Sequence, residues 1–269
     1  MRFDYIEQGN CLDKMRELPD GCIDMIMTSP PYDNLRDYNG YSFDFENIAR
    51  EMFRIMKDGS VAVWIVSDAT IDGSETGTSF KQALFFKEIG FNLHDTMIWE
   101  KPCFTATGTL SVRYASVFEY MFVLSKGKPK TFNPLKDRKN IYAGAKSTGS
   151  IRQKDGTMKP RSTEGKIYGE YGQRYNVWHM NPVKPQVTQK YQHPAQFPVE
   201  MARDHILSWT NKGDIVLDCF MGSGTTAIAC LKTERHYIGF DISEEYVEMA
   251  EGRIKDEIES NPLFYGGIT

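Results

Sequence analysis

Apolar and polar positions along the chain alternate between two periods. Short, nearly continuous apolar runs, the pattern of strands buried on both faces, occur at residues 23–27, 60–66 and 214–219. Weaker runs of the same kind add strands at 3–7, 96–99, 120–124 and 237–241. Between them, apolar residues recur at helical spacing over 11–18, 45–56, 80–89, 199–209, 225–232 and 244–258. Lys57-Asp58-Gly59 reads as the stop of the second helix, Gly90 as the stop of the third, and the Gly/Ser/Thr-rich stretch 68–79 as a loop. Strands alternating with helices predict an α/β domain whose sheet is covered on both faces.

The pattern breaks at Lys126. From there to Lys190 neither period is sustained, and Lys, Arg, Gly, Pro, Ser and Thr are interleaved with Tyr142, Tyr168, Tyr171, Tyr175 and Trp178. So many aromatics are foreign to a disordered linker, which predicts an irregular but ordered insert with some rings forming a small local core. After Gln192 the α/β pattern resumes. The chain therefore divides into residues 1–125, an insert at 126–190, and 191–269, the outer two forming one domain.

Charge sharpens that division. The 269 residues carry a net charge of −4, yet the insert holds 15 Lys and Arg against 4 Asp and Glu. A local excess of one sign is the footprint of a polyanion partner, here nucleic acid. The candidate phosphate contacts are Arg138, Lys139, Arg152, Lys154, Arg161 and Arg174. No apolar run approaches the roughly 20 residues of a membrane helix, and the first residues lack the apolar stretch of a signal peptide, so the expected location is cytoplasmic with no membrane partner. Cys11, Cys22, Cys103, Cys219 and Cys230 are odd in number and scattered, which indicates neither a disulfide framework nor a metal site.

Two loops carry candidate chemistry. The first, Ser29-Pro30-Pro31-Tyr32, leaves the carboxyl end of the strand at 23–27, where ligands bind in open α/β sheets. Consecutive prolines fix φ twice and remove two backbone donors, so the loop accepts hydrogen bonds better than it donates them. With a serine oxygen on one side and a tyrosine ring on the other, it suits a flat ring bearing an amine. The second loop follows the strand at 214–219: Asp218-Cys219-Phe220-Met221-Gly222-Ser223-Gly224-Thr225-Thr226. A phosphate-binding loop would need Lys before its Ser or Thr, and a dinucleotide fingerprint would need a third glycine where Ala227 stands. An S-adenosylmethionine loop fits better, with Asp218 placed to meet the methionine ammonium and Asp241, ending the next strand, placed to take both ribose hydroxyls.

These motifs, with Trp99-Glu100-Lys101-Pro102 and His193-Pro194-Ala195-Gln196-Phe197-Pro198, make the chain resemble a DNA amino-methyltransferase of the circularly permuted β class. In that class the catalytic loop precedes the target-recognition region and the cofactor loop follows it. The resemblance covers nearly the whole chain outside 126–190, with Phe197 standing where related enzymes often have Lys. It implies a Rossmann-like mixed sheet, the S-adenosylmethionine-dependent methyltransferase fold, with the basic insert as target-recognition lobe on double-stranded DNA. It further implies that Phe220, Gly222, Ser223, Gly224, Thr225 and Thr226 line the cofactor. His193 and Gln196 would meet its methionine carboxylate, and Asp13 its adenine, although Asp13 also suits a helix N-cap.

The implied reaction begins with a base flipped out of the duplex. Its amine is a poor nucleophile, because the lone pair is delocalised into the ring. If the Ser29 oxygen and the Pro30 carbonyl accept its two N–H bonds, the nitrogen is drawn towards sp³ geometry and attacks the methyl group directly, without metal or covalent intermediate. Tyr32 would stack on the base. In the family, Ser before Pro-Pro-Tyr tends to accompany N4 of cytosine, and Asp or Asn tends to accompany N6 of adenine, so cytosine N4 is expected and adenine N6 is the alternative. Methylation at carbon 5 of cytosine would need a Pro-Cys strand-end loop, and Cys103, after Pro102, lies elsewhere. A protein glutamine methyltransferase, which uses an Asn-Pro-Pro-Tyr loop, and a non-catalytic DNA-binding module are the rival readings. The basic insert opposes the first and the two intact loops oppose the second.

Overall fold

The computed structural model describes residues 1–31, 43–102, 112–183 and 196–262. They form two compact units, one of residues 1–133 with 176–269 and one of 134–175. In chain order the first unit begins β1 (Tyr5–Gln8), α1 (Cys11–Glu17), β2 (Ile23–Thr28), α2 (Phe45–Ile55), β3 (Met56–Val66), β4 (Thr70–Ile71), β5 (Ser74–Glu75), α3 (Thr78–Glu88), β6 (Asn92–Glu100) and β7 (Phe118–Ser125). The second unit holds β8 (Arg138–Lys139), β9 (Ser150–Arg152), β10 (Met158–Pro160) and β11 (Tyr171–Gly172). The first unit then resumes with β12 (Val177–His179), α4 (Val199–Trp209), β13 (Ile215–Asp218), α5 (Thr225–Leu231), β14 (His236–Asp241) and α6 (Glu244–Ser260).

One eight-stranded sheet in the order β1-β14-β13-β2-β3-β7-β6-β12 organises the first unit. The strands from β1 to β3 run parallel, β7 is antiparallel to both its neighbours, and β12 joins the edge parallel to β6. This is the expected Rossmann-like mixed sheet. Helices α1, α2 and α3 cover one face, burying Leu12, Met15, Met52, Ile55 and Phe86 against Ile26, Trp64 and Leu217. On the opposite face α4 and α5 pack against β2 and β13, with α6 beside α5. Side-chain caps fix the starts of α1, α2 and α6: Asn10 accepts from the Leu12 amide, Asp44 from that of Asn47, and Ser243 from that of Tyr246. Asn10, and not Asp13, is thus the N-cap of α1.

Three stretches depart from the pattern read in the sequence. Lys57-Asp58-Gly59 lies within β3, because α2 stops at Ile55 and Met56 already pairs with Ile23. Gly59 takes φ 81°, which accommodates the irregular register there. The loop at 68–79 contains a hairpin, β4 with β5, turning through Asp72 (φ 49°) and Gly73 (φ 81°), the left-handed pair that a two-residue hairpin turn requires. The compact second unit is also shorter than the basic stretch 126–190, since both flanks belong to the first unit. Lys126 donates to the carbonyls of Phe53 and Met56 at 2.9 and 2.8 Å, closing the end of α2. Trp178, in β12, is buried and stacks on His205 of α4 at 4.3 Å.

Trp64 sits at the centre of the first core, ringed by Phe45, Phe86 and Phe220, and its indole N–H donates to the buried Gln82 side chain at 2.9 Å. Replacing Trp64→Phe leaves that acceptor unpaired and is expected to cost about 1–3 kcal/mol beyond the lost volume. The double variant Trp64→Phe/Gln82→Leu should recover part of this, a coupling that urea denaturation of the four proteins in the cycle measures.

Candidate functional site

Strand order reverses between β13 and β2. From β13 the chain passes through α5 to β14 on one side, and from β2 through α2 to β3 on the other, so the loops leaving β13 and β2 diverge and open a crevice at the carboxyl ends of the strands. Both candidate loops lie there. Ser29, Pro30 and Pro31 follow directly on β2, with Pro30 buried and its two neighbours half-buried. Tyr32 lies outside the described residues.

A buried carboxylate joins the two loops. Asp218, the last residue of β13 and 1% exposed, accepts on one oxygen from the Thr28 hydroxyl at 2.6 Å and from the Phe220 amide at 3.1 Å. Its other oxygen accepts from the Thr226 hydroxyl at 2.6 Å. Thr28 ends β2 immediately before Ser29, so one side chain ties the root of the proline loop to both ends of the glycine loop. Burial pushes the Asp218 carboxyl up to about 6, against the lowering effect of these three donors, and the negative Asp241 raises it further. Asp218 is therefore sequestered among its partners rather than presented at the surface of the crevice.

The glycine loop is clamped from behind. Gly222 and Gly224 take φ 51° and 81°, and a Cβ at Gly224 would stand 2.9 Å from that of Ala250, so only glycine lets α6 approach this closely. Arg253 of α6 donates to both the backbone and the side-chain oxygen of Ser223. Thr226 is committed to Asp218, Thr225 is buried, and Phe220 packs edge-on against Phe43. The loop thus offers a ligand mainly its backbone.

Asp241, ending β14, stands beside this loop. One carboxylate oxygen accepts from the Gly222 amide at 2.8 Å and the other from the Ser243 amide at 3.0 Å. It is half-buried, burial raises its pKa, and each oxygen keeps lone pairs for a further donor. The Gly9 amide bonds the Asp241 carbonyl at 2.8 Å, which brings the start of α1 alongside. Asp13 is an exposed residue of that helix, paired with Arg16 at 3.1 Å. Gln196 is half-buried ahead of α4, and His193 lies outside the described residues. Trp99 is a core residue, buried with its indole N–H on the Met180 carbonyl at 2.8 Å.

Sequence reasoning gave Thr28, the first residue of the proline motif, no role of its own, and it missed Arg253. The motif marks Thr28 but not its bond to Asp218, whereas Arg253 carries no local signal. Burial raises the thiols of Cys11 (to about 12), Cys219 and Cys230, so none of them supplies a thiolate. Among the described residues no group of His, Cys, Asp and Glu is placed to hold a metal ion, and no helix is long and apolar enough to cross a membrane.

The second unit is built almost without a core. Its strands form two short antiparallel pairs, β8 with β11 and β9 with β10. Tyr142, Tyr171 and Tyr175 are exposed, so these rings do not form the small core expected of the insert. Lys139, Arg152, Lys154 and Arg161 are exposed as well. Arg138 and Arg174 differ from them. Arg138 donates to the Gln173 carbonyl at 2.9 Å and lies over the Tyr175 ring, while Arg174 forms a two-pronged pair with Asp137 that holds the Asp137 carboxyl below its ordinary range. These two guanidinium groups help to build the unit.

A family model for DNA methylases of the N6/N4 methyltransferase kind matches residues 23–252. The orphan methyltransferase M.BamHII of Bacillus amyloliquefaciens is 52% identical over 244 residues, 89% of this chain and 91% of that protein. The type II methyltransferase M.Cfr9I of Citrobacter freundii is 26% identical over 292 residues, 93% of this chain and 87% of that protein. Among solved structures, the cytosine-N4-specific PvuII DNA methyltransferase matches with a TM-score of 0.67 at 18% identity, over 99% of this chain and 97% of that one. The M1.HpyAVI–SAM complex matches with a TM-score of 0.65 at 23% identity, over 93% and 98%. At these identities the two structures show a shared fold.

The buried carboxylate makes stability depend on pH in a defined direction. The folded value of Asp218, about 6, lies above its ordinary 3.8, so its contribution is fully present below pH 3.8 and is lost as pH rises through 6. Thr28→Val removes one donor to the ionised form. It is expected to cost about 1–3 kcal/mol at pH 8. The cost should be smaller at pH 5, where Asp218 is mostly protonated, and Thr28→Ser should restore most of the difference. Denaturant titrations at the two pH values check this.

Proposed function

The chain belongs to the N6/N4 DNA methylase family, and on that premise we propose that it methylates N4 of a cytosine flipped out of double-stranded DNA. It is an S-adenosylmethionine-dependent DNA amino-methyltransferase, the kind of enzyme found in restriction-modification systems. The observation that supports the reading is the bracket at the switch point, where Asp218 fastens the end of β2, from which Ser29-Pro30-Pro31 departs, to the glycine loop assigned here to the cofactor.

The residues present fit S-adenosylmethionine. Asp241 has both carboxylate oxygens anchored by backbone amides, with lone pairs left for two ribose hydroxyls. Phe220, Gly222, Ser223, Gly224 and Thr225 would form the wall along the methionine moiety. Gln196 and His193 are assigned to its carboxylate, and Asp13 to the adenine. Asp218, already occupied by three donors, supports the methionine ammonium through its charge and holds the two loops in register. When bound, the cofactor supplies an electrophilic methyl group on a sulfonium.

The chain's own part is to hold the amine. The Ser29 hydroxyl and the Pro30 carbonyl accept its two N–H bonds, turning the nitrogen lone pair towards the methyl group, and Tyr32 stacks on the base. Two prolines fix these acceptors before the base arrives, so little reorganisation accompanies the reaction. A serine hydroxyl can also donate to a ring acceptor, which permits cytosine at this position without requiring it; the choice of N4 follows the family's pairing of Ser-Pro-Pro-Tyr with cytosine. The exposed Lys139, Arg152, Lys154 and Arg161 of the second unit are assigned to DNA phosphates.

Nucleoside digestion and mass spectrometry of DNA methylated in vitro should yield N4-methylcytosine. N6-methyladenine in its place would overturn the choice of base and leave the acceptor mechanism standing. Calorimetry should show at least a tenfold loss of S-adenosylmethionine affinity in Asp241→Ala, and an unchanged affinity would remove Asp241 from the cofactor site. For the second unit, Lys139→Gln/Arg152→Gln is expected to weaken DNA binding and to flatten the plot of log affinity against log salt by roughly two units, one per phosphate contact. An equal slope for variant and parent would show that these side chains do not meet phosphate.

A further inference from the structure

Ser223 stands between two glycines, Gly222 and Gly224, whose φ of 51° and 81° glycine takes without strain. Glycine on both sides makes a segment supple, and a supple loop has to be ordered before a ligand can use its backbone. In this fold β14 and α6 do the ordering from two directions. At the end of β14 the Asp241 carboxylate accepts from the Gly222 amide at 2.8 Å. From α6, Nη1 of Arg253 donates both to the carbonyl of Ser223 and to its hydroxyl oxygen, the latter at 2.7 Å. A carboxylate thus grips one residue of the loop and a guanidinium the next.

Helix α6 does not depend on Arg253 for its seat, because its buried Ala250 and Ile254 pack it against β1, β14 and α5. What the guanidinium adds is the orientation of Ser223. The Gly222 amide is spent on Asp241, and the Gly224 amide on the Met221 carbonyl at 3.0 Å. Among the described residues the Ser223 amide has no acceptor. With both oxygens of Ser223 turned back to α6, that amide is a donor the loop keeps for a ligand. The bonds that fix it come from a cation, and such charge-assisted bonds are stronger than those between neutral groups.

We propose that Arg253 is a positioning residue for the cofactor: acting through Ser223, it holds the glycine loop in the shape that receives the methionine part of S-adenosylmethionine. The proposal rests on the reading of this loop as the cofactor loop. Two contacts from one stretch of chain then divide the ligand between them. Asp241 takes the ribose, and Arg253 sets the affinity for the part beyond it. Arg253 has no part in the transfer step, so its loss raises the cofactor concentration needed and leaves the rate at saturation unchanged.

The test uses the full chain and two probes. Calorimetry gives the affinity for S-adenosylmethionine, and equilibrium competition gives that for adenosine, which carries the base and ribose without the methionine. Arg253→Met should weaken S-adenosylmethionine binding roughly 10- to 50-fold, the worth of charge-assisted bonds, and adenosine binding by less than about twofold. Arg253→Lys, which returns one cationic donor, should fall between Arg253→Met and the parent. In steady-state methylation the KM for the cofactor should rise with its Kd, while kcat at saturating cofactor stays within about twofold of the parent. If Arg253→Met does not fold, Ser223→Ala, which removes only the hydroxyl partner, carries the same comparison of the two probes. An unchanged affinity for S-adenosylmethionine, an equal loss for adenosine, or a lower kcat at saturation would overturn the proposal. Failure of the underlying reading has a different mark, an unchanged S-adenosylmethionine affinity in Asp241→Ala.

Discussion

A carboxylate without access to water joins the two loops at the switch point of the sheet. Asp218 lies on the boundary where strand order reverses, and its three donors come from β2, from the residue two positions on, and from the first turn of α5. A buried charge is tolerable only when its lone pairs are met, and here the groups that meet them come from the two loops at the switch point of the sheet. Ser29 begins where Thr28 ends. Any shift of the glycine loop against the root of the proline loop would break a short hydrogen bond to a buried oxygen, so misplacing one against the other carries an energetic penalty. The raised pKa of Asp218 shows that burial outweighs those donors.

The two units are ordered by different means. In the first, apolar side chains on both faces of a sheet exclude water, and Trp64, Met52 and Phe86 leave little room for alternative packing. In the second almost nothing apolar is buried. Order there comes from backbone ladders, from the Asp137–Arg174 pair and from Arg138 spanning Gln173 and Tyr175. A surface released from the duty of filling a core can carry rings and charges outward, which is what a unit meeting a polyanion requires.

How much of this was legible in the sequence follows from range. The strands β2, β3 and β13 announce themselves as apolar runs because burial on both faces acts on consecutive residues, and α4 is read to its ends because its apolar spacing is interrupted at both. Short elements were less visible. β12 is three residues long and owes its existence to pairing with β6, some eighty positions earlier, and the start of β3 at Met56 is fixed by its partner Ile23. The candidate site shows the same division. Asp241 and the glycines stand in a local motif and were legible, whereas Arg253 reaches Ser223 from thirty residues away and looks, in sequence, like one more charge on the exposed face of a helix.

Charge counting marks a stretch of the chain but does not tell its residues apart. The excess between Lys126 and Lys190 is real, yet Lys126 closes the end of α2 and Arg174 is matched by Asp137, so neither is available to a phosphate in the way an exposed lysine is. A sum over sequence weighs a cation the same whether it is solvated or spent within the fold. The distinction is made by geometry: guanidinium groups, with several donors in a fixed plane, are drawn into carbonyl and carboxylate partners that an ordered, core-poor unit needs. Lysine, with one flexible point charge, is left at the surface more often. In unit 134–175 Arg138 and Arg174 became structural, while Lys139, Lys154, Arg152 and Arg161 stayed exposed. A cation spent within the fold is told from one left in solvent by the partners it meets, Asp137 for Arg174 and the Gln173 carbonyl for Arg138, which net charge does not record.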